Sequence, residues 1–356
     1  MTPSPATPAR SLRLALLLGD PSGIGPEIVA RVLAEGADAH KTTTTYDGVN
    51  IIVIGEPWIL DWGAQCAGLS LELPHYNSPE DMPPSPPGPV LLTGPSFPQD
   101  EHTPGRMSPA AGRYVLHSLD YAANLARTGL IDGITYASLN KQAMHAAGSR
   151  HEDELRYFAD RLGVSGHVGE VNTLDGLYTS RVTSHIPLRA VYKHISVADI
   201  LPAIRLIHHT IRRSGLPSPR LAVAGLNPHA GEGGLFGSEE IDVIRPAVEA
   251  AQEEDIAASG PYPPDTVFLR ASRGEFDGVV TMYHDQGQIA MKLLGFERGV
   301  TIHAGLTTPI TTPAHGTAFD IVGMGVASPQ ALKQALKLCA QMLTLGDSNP
   351  PAQRSL

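Results

Sequence analysis

Three histidines stand directly after apolar, β-type runs in this chain. SRVTS leads into His185, RLAVAGLNP into His229 and GVVTMY into His284. Parallel α/β sheets bind ligands beyond the carboxyl ends of their strands, where loops from several strands converge. Three neutral imidazoles collected there would suit a divalent metal and leave positions open for substrate and water. The plainer alternative is that each imidazole merely caps its strand. With 15 histidines in the chain, one such placement would mean nothing; the recurrence at three strand ends favours the metal. Their wide separation in sequence means that only the fold can bring them together. Asp285, beside His284, has two uses open to it: orienting an imidazole from behind, or capping the next helix.

Two glycine-bearing loops add to the pattern. GDPSGIGPE (residues 19–27) puts Gly23 and Gly25 directly before a helix, where backbone N–H groups can face an anion, although a tight turn explains it equally well. Pro26 suits a first helical turn. NPHAGEGGLFGSEE (residues 227–240) is richer, with four glycines and acidic residues opening the next helix. Asn140-Lys141 follows another strand end, and Lys292 lies on the helix after His284. A lysine on a helix is usually a solvated charge; at a strand's carboxyl edge it also serves to anchor a substrate or move a proton.

The elements that must position these residues alternate. LRLALLLG, NIIVIG, PVLLTG, IDGITYA, SRVTSH, RLAVAG and DGVVTMY read as strands, most of them followed by helical stretches, and SPQALKQALKLCAQMLTLG reads as an amphipathic helix. The expected class is therefore α/β with mostly parallel sheets. A chain of 356 residues exceeds a comfortable single core, so two domains are expected. Residues 77–105 are Pro-rich and read as a surface excursion or a linker; KTTTTYDG (41–48) reads as a loop and NPPAQRSL (349–356) as a frayed tail. The net charge of −10 argues against a nucleic-acid binder. Cys66 and Cys339 are too few for a disulfide scaffold, lack metal-ligand spacing and read as packing residues. No apolar run approaches the roughly 20 residues of a membrane helix. LALLL near the start is short, has no cleavage site and runs straight into Gly19-Asp20, so it reads as strand one; the expected compartment is the cytoplasm.

GDPSGIGPE, SLNKQAMHAAG, SHIPLR, GLNPHAGEGG, GPYPPDTVF, MYHDQG and HGTAFDIVGMGVA together resemble the PdxA family, the 4-hydroxythreonine-4-phosphate dehydrogenases and their sugar-acid and dihydrodiol relatives, in order over nearly the whole chain. The resemblance implies two α/β/α domains of the isocitrate/isopropylmalate-dehydrogenase type. It places the active site in the interdomain cleft, at a homodimer interface. One domain is expected from residues 1–135 with 305–356, the other, carrying the metal histidines, from 136–304. Residues 313–329 are similar to the nucleotide-binding loop of isopropylmalate dehydrogenases, which makes His315, Gly316, Thr317, Asp320, Gly323 and Gly325 the expected contacts of NAD or NADP. The family's metal ligands match His185, His229 and His284, for zinc, magnesium, cobalt or nickel. The implied chemistry is oxidation of a secondary alcohol by hydride transfer to NAD(P)+, followed by loss of CO2 from the β-keto acid, as in pyridoxine biosynthesis. Lys141, Asp285 and a metal-bound water are candidate bases, with Lys292 at the reacting substrate.

The departures bear on the substrate. The family's Gly-His-Thr-Glu stretch reads Arg150-His151-Glu152-Asp153 here, its substrate-contacting Asn corresponds to Thr301, and an Arg corresponds to Ile310. With Lys292, these make His151, Glu152, Thr301 and Ile310 the expected substrate positions. Loss of an arginine and gain of a carboxylate disfavour a phosphorylated ligand, unless Arg150, Arg298 or His303 supplies the charge. Two other readings stay open: the same chemistry on an unphosphorylated acid, such as a carboxylated cis-dihydrodiol or a four-carbon sugar acid, and a two-domain protein that binds a metal and a small acid without catalysis.

Overall fold

The computed structural model describes residues 10–38 and 48–346; the threonine tract, but for Gly48, and the terminal NPPAQRSL lie outside them. Within these residues the chain forms two compact units. One takes the chain up to Ser149 together with Thr317–Ala327; the other takes Arg150–Gly316 and the chain from Ser328. Among the described residues, no helix is long and apolar enough to cross a membrane.

The first unit is built on a parallel sheet of β1 (Arg13–Leu17), β2 (Asn50–Gly55), β3 (His75–Tyr76), β4 (Val90–Thr93) and β5 (Gly133–Tyr136), in the order β3-β4-β2-β1-β5. Its connections are α1 (Gly25–Asp38), α2 (Pro57–Ala67) and α3 (Pro109–Arg127), with α4 (Lys141–Ala146) after β5. β1 and β2 are buried along their whole length, which is why they read as continuous apolar runs rather than alternating ones. The chain leaves β1 toward β2 on one side, while β5 lies on the other. The carboxyl ends of β1 and β5 therefore flank a topological switch point, the usual ligand site of such sheets. Gly19, with φ +77°, sits there because a Cβ would fall 2.7 Å from the carbonyl of Ser138.

The second unit contains α5 (Glu154–Leu162), β6 (Gly169–Leu174), β7 (Leu177–Arg181), α6 (Val197–Arg213), β8 (Leu221–Ala224), α7 (Arg245–Gln252), β9 (Ala258–Tyr262), α8 (Pro264–Ser272), β10 (Gly278–Thr281), α9 (His284–Gly295), β11 (Val300–Ala304), β12 (Ile310–Pro313) and α10 (Gln330–Gly346). Its sheet is mixed. β7, β10, β8 and β9 are parallel neighbours, whereas β7-β6, β6-β11 and β11-β12 pair antiparallel. β6 turns into β7 through Asp175-Gly176, both at positive φ (49° and 89°), the backbone of a type I′ hairpin that suits an Asp-Gly pair. α6 lays Ile200, Ile204, Ile207 and Ile211 into the core against Leu221, Val223 and Val280, each burial contributing about 1.5–3 kcal/mol.

Three segments cluster differently from the expected division at 135/136 and 304/305. Residues 136–149 go with the first unit, because Gly112 lets α3 approach α4 until a Cβ there would lie 2.1 Å from the Ala143 carbonyl. Residues 305–316 and 328–346 go with the second, where the Thr311 hydroxyl donates to the Ala335 carbonyl (2.9 Å) and fixes α10 on β12.

Candidate metal and substrate site

β7, β10 and β8 are adjacent and parallel in that order, so the segments leaving their carboxyl ends rise from one edge of the sheet. Those segments carry His185, His284 and His229. The rings of His185 and His284 lie 5.7 Å apart, centroid to centroid. Gln286 ties the ends of β10 and β8 together: its Oε1 accepts from the Met282 amide (2.7 Å) and its Nε2 donates to the Gly225 carbonyl (2.8 Å).

Each of these two imidazoles is backed by a carboxylate. His185 Nδ1 bonds Glu152 Oε1 at 2.9 Å and His284 Nδ1 bonds Asp285 Oδ1 at 2.7 Å. An ionised carboxylate only accepts, so Nδ1–H donates in both cases, and in a neutral imidazole that arrangement leaves the lone pair on Nε2. Metal-ligating histidines are oriented in this way, and both side chains are partly open to solvent, 39% and 36% exposed. The donor chemistry therefore fits a divalent metal. Ligand atoms of Glu152, Asp153 and His185 also lie within 4.8 Å of one another. Asp153, however, is committed to α5, where it accepts from the Arg156 amide (2.9 Å) and Nη1 (2.7 Å).

His229 sits in the turn 228–234, where six consecutive residues, His229 to Gly234, adopt positive φ. Non-glycine residues in that region cost about 1–3 kcal/mol each and persist where the surroundings impose them. Glu240, 1% exposed, anchors the chain where it enters this turn. Its carboxylate accepts from the amides of Leu226 and Asn227, both at 2.7 Å, and from Asn227 Nδ2 at 3.0 Å. The His229 ring stands 6.2 Å from that of Phe236.

The sequence reading missed Arg181, and a charged residue inside an otherwise buried strand was the available signal. Its guanidinium donates to Glu170, to Asn172 Oδ1 (3.0 Å) and to Ser184 Oγ (3.0 Å), next to His185. Asn172 in turn accepts from Gln288 (2.6 Å) and donates to the Thr301 hydroxyl (2.9 Å).

The other predicted residues are spread more widely. Lys292 is exposed on α9, and Lys141 opens α4 in the first unit, behind an Asn140 side chain that accepts from the Ala143 amide (2.8 Å). His151 turns onto its own helix, with Nε2 3.6 Å from Asp160 and its ring edge-on to Tyr157. Thr301 and Ile310 are buried in β11 and β12, Ile310 completely. Of the residues that might replace the missing arginine, Arg298 pairs with Asp175 (2.7 Å), His303 is buried, and Arg150 is exposed.

Four amides of GDPSGIGPE are engaged within the protein. The N–H of Asp20 goes to Ser138 O, of Ser22 to Asp20 Oδ1, of Gly23 to Asp20 O and of Ile24 to Thr317 O, all at 2.8–3.1 Å. The loop seats the segment expected to meet the nucleotide. A Cβ at Gly23 would collide with Thr317 at 2.9 Å; at the far end, Glu27 accepts from the Ala327 amide (3.1 Å) while Arg31, paired with Glu27, donates to the Gly325 carbonyl (2.6 Å). Asp320 and Gly323 are exposed in that segment, and Gly323 and Gly325 have positive φ. His315 and Gly316 precede it in the second unit, His315 Nδ1 lying 3.0 Å from the Gly316 carbonyl.

These features define an α/β protein of two units in which His185, His284 and His229 follow the carboxyl ends of adjacent parallel strands and the first two stand ring to ring. The chain belongs to the PdxA family: the family described as pyridoxal phosphate biosynthetic protein PdxA matches residues 47–339. A Pseudomonas aeruginosa protein provisionally named 4-hydroxythreonine-4-phosphate dehydrogenase 2 is 47% identical over 332 residues, 93% of this chain and 96% of its own. The crystal structure of 4-hydroxythreonine-4-phosphate dehydrogenase from Klebsiella pneumoniae superposes with a TM-score of 0.78 at 35% identity, over 94% of this chain and all of that one. That of a terephthalate 1,2-cis-dihydrodiol dehydrogenase from Burkholderia xenovorans LB400 does so with 0.64 at 26% identity, over 93% and 98%.

Proposed function

We propose that this protein is a metal- and NAD(P)-dependent dehydrogenase that oxidises the secondary alcohol of a small hydroxy acid and decarboxylates the β-keto acid formed. The observation that carries the reading is the pair of carboxylate-backed imidazoles at adjacent strand ends, in a chain of the PdxA family. The alcohol carbon gives up hydride to the nicotinamide and its hydroxyl proton goes to a base, Lys141 or Asp285. The bond to the carboxylate then breaks, CO2 leaves, and the electron pair it leaves behind takes up a proton. A divalent cation held by His185, His284 and His229 would supply Lewis-acid stabilisation of negative charge on the reacting oxygen. Lys292 would hold the substrate's negative charge. Residues 317–327, with His315 and Gly316 before them, would carry the nucleotide.

A narrower reading concerns the substrate. A carboxylate beside His185 and a fully buried isoleucine stand at the positions where the family resemblance implies a threonine and an arginine, which favours an unphosphorylated acid. Assays with NAD+ and NADP+ should show NAD(P)H and CO2 released in equal amounts, lost with a chelator and restored by divalent cations. Failure with every hydroxy acid tried would overturn the dehydrogenase reading. Faster turnover of 4-hydroxythreonine 4-phosphate than of unphosphorylated acids would overturn only the narrower one.

All three histidine-bearing segments also expose large apolar side chains: Leu188 (71%) and Tyr192 (63%) after His185, Leu235 (73%) and Phe236 (49%) after His229, and Ile289 (60%) and Leu293 (84%) after His284. Such a concentration marks a surface covered by a partner, and a second copy of the chain is the partner proposed. Light scattering should give the mass of a dimer, and Leu235→Asp should shift it toward monomer with loss of turnover. A wild-type monomer that turns over would rule this out.

A further inference from the structure

We propose that Glu152 is a positioning residue that holds His185 with Nε2 facing the metal, so that a position the family resemblance assigns to substrate here tunes the metal centre. The inference rests on the metal reading above. His284 finds its carboxylate in the next residue, but His185 is followed by Ile186-Pro187 and has no acidic neighbour on its own segment. Its carboxylate comes instead from 33 residues earlier, at the start of α5. That carboxylate is held on its other side: Arg156 Nε lies 3.5 Å from Glu152 Oε2, and Arg156 is fixed by Asp153, whose side chain is 1% exposed. The chain Asp153–Arg156–Glu152–His185 thus reproduces from a distant helix what Asp285 does for His284. Fold stability does not explain it, because Glu152 and His185 are 48% and 39% exposed and a pair so open to water contributes little. Orientation of a ligand does, since removing the group behind a metal-bound histidine weakens metal binding by about 10–100-fold.

The test titrates Co2+ into the metal-free full-length protein, following the visible absorption of the bound ion and competition with a chromogenic chelator. Glu152→Gln should bind Co2+ about tenfold or more weakly than wild type, Glu152→Asp should recover part of the loss, and the unfolding temperature without metal should stay unchanged in both. Equal Co2+ affinity in wild type and Glu152→Gln overturns this inference and leaves the metal centre standing. No Co2+ binding by the wild type overturns the metal centre and this inference with it.

Discussion

Arg181→Met should be among the most destabilising single substitutions in the second unit, at about 3–5 kcal/mol. Arg181 and Glu170 are 7% and 16% exposed, and taking away one partner of a buried ion pair removes its attraction while the other charge stays desolvated. The guanidinium also donates to Asn172 and Ser184, so its loss removes two further hydrogen bonds. On the size scaling of unfolding entropy, the expected fall in unfolding temperature is about 10 °C. The double variant Arg181→Met/Glu170→Leu should recover most of it, because apolar replacement of a whole buried pair is often neutral or stabilising. Urea unfolding of the four proteins of this cycle isolates the coupling. Equal stability of the single and double variants would mean that Glu170 is not left stranded, and the account of the pair would fall.

What the sequence made legible, and what it did not, follows from the range of the interactions involved. β1, β2 and β10 are buried on both faces, so their apolar runs announce them, and a residue following such a run can be placed at a sheet edge from sequence alone. That is why His185, His229 and His284 could be singled out. The adjacency of β7, β10 and β8 is a matter of topology and was not legible. β11 and β12 were missed because VTIHA and ITTP carry threonines where a buried strand usually shows valine or isoleucine. The β6-β7 hairpin was signalled by Asp175-Gly176 between alternating runs, a local cue that the reading did not use. Glu152–His185 spans 33 residues and no periodicity connects the two, so the sequence points to Glu152 only as a substrate position. The GDPSGIGPE loop shows the same limit. Its glycines correctly mark a turn, but the partner of the Ile24 amide is Thr317, nearly 300 positions on, and no local pattern could show that this amide was already taken.

That loop also gives the chain a specific pH dependence. Asp20 is fully buried between the ends of β1 and β5; Oδ1 accepts from the Ser22 amide (2.8 Å), while Oδ2 has no hydrogen-bond partner. Burial pushes its carboxyl up to about 6, against the smaller opposing effect of the Ser22 N–H. The folded state therefore holds this proton more tightly than the unfolded chain, whose carboxyl titrates near the ordinary 3.8. Between those values the native state binds more protons, so stability falls as pH rises from about 4 to about 6 and stays lower above. Two pKa units correspond to about 3 kcal/mol as an upper bound. Asp20→Asn keeps the acceptor for Ser22 and removes the titration. Whatever constant cost its Nδ2 brings, the variant's stability relative to wild type should improve by about 2–3 kcal/mol between pH 4 and pH 7, read from urea unfolding across that range. A difference independent of pH would show that Asp20 titrates as an ordinary carboxylate. The predicted slope would mean that the chain keeps a buried charge at the switch point of its first sheet despite a cost at neutral pH, as groups held for function at such points commonly do.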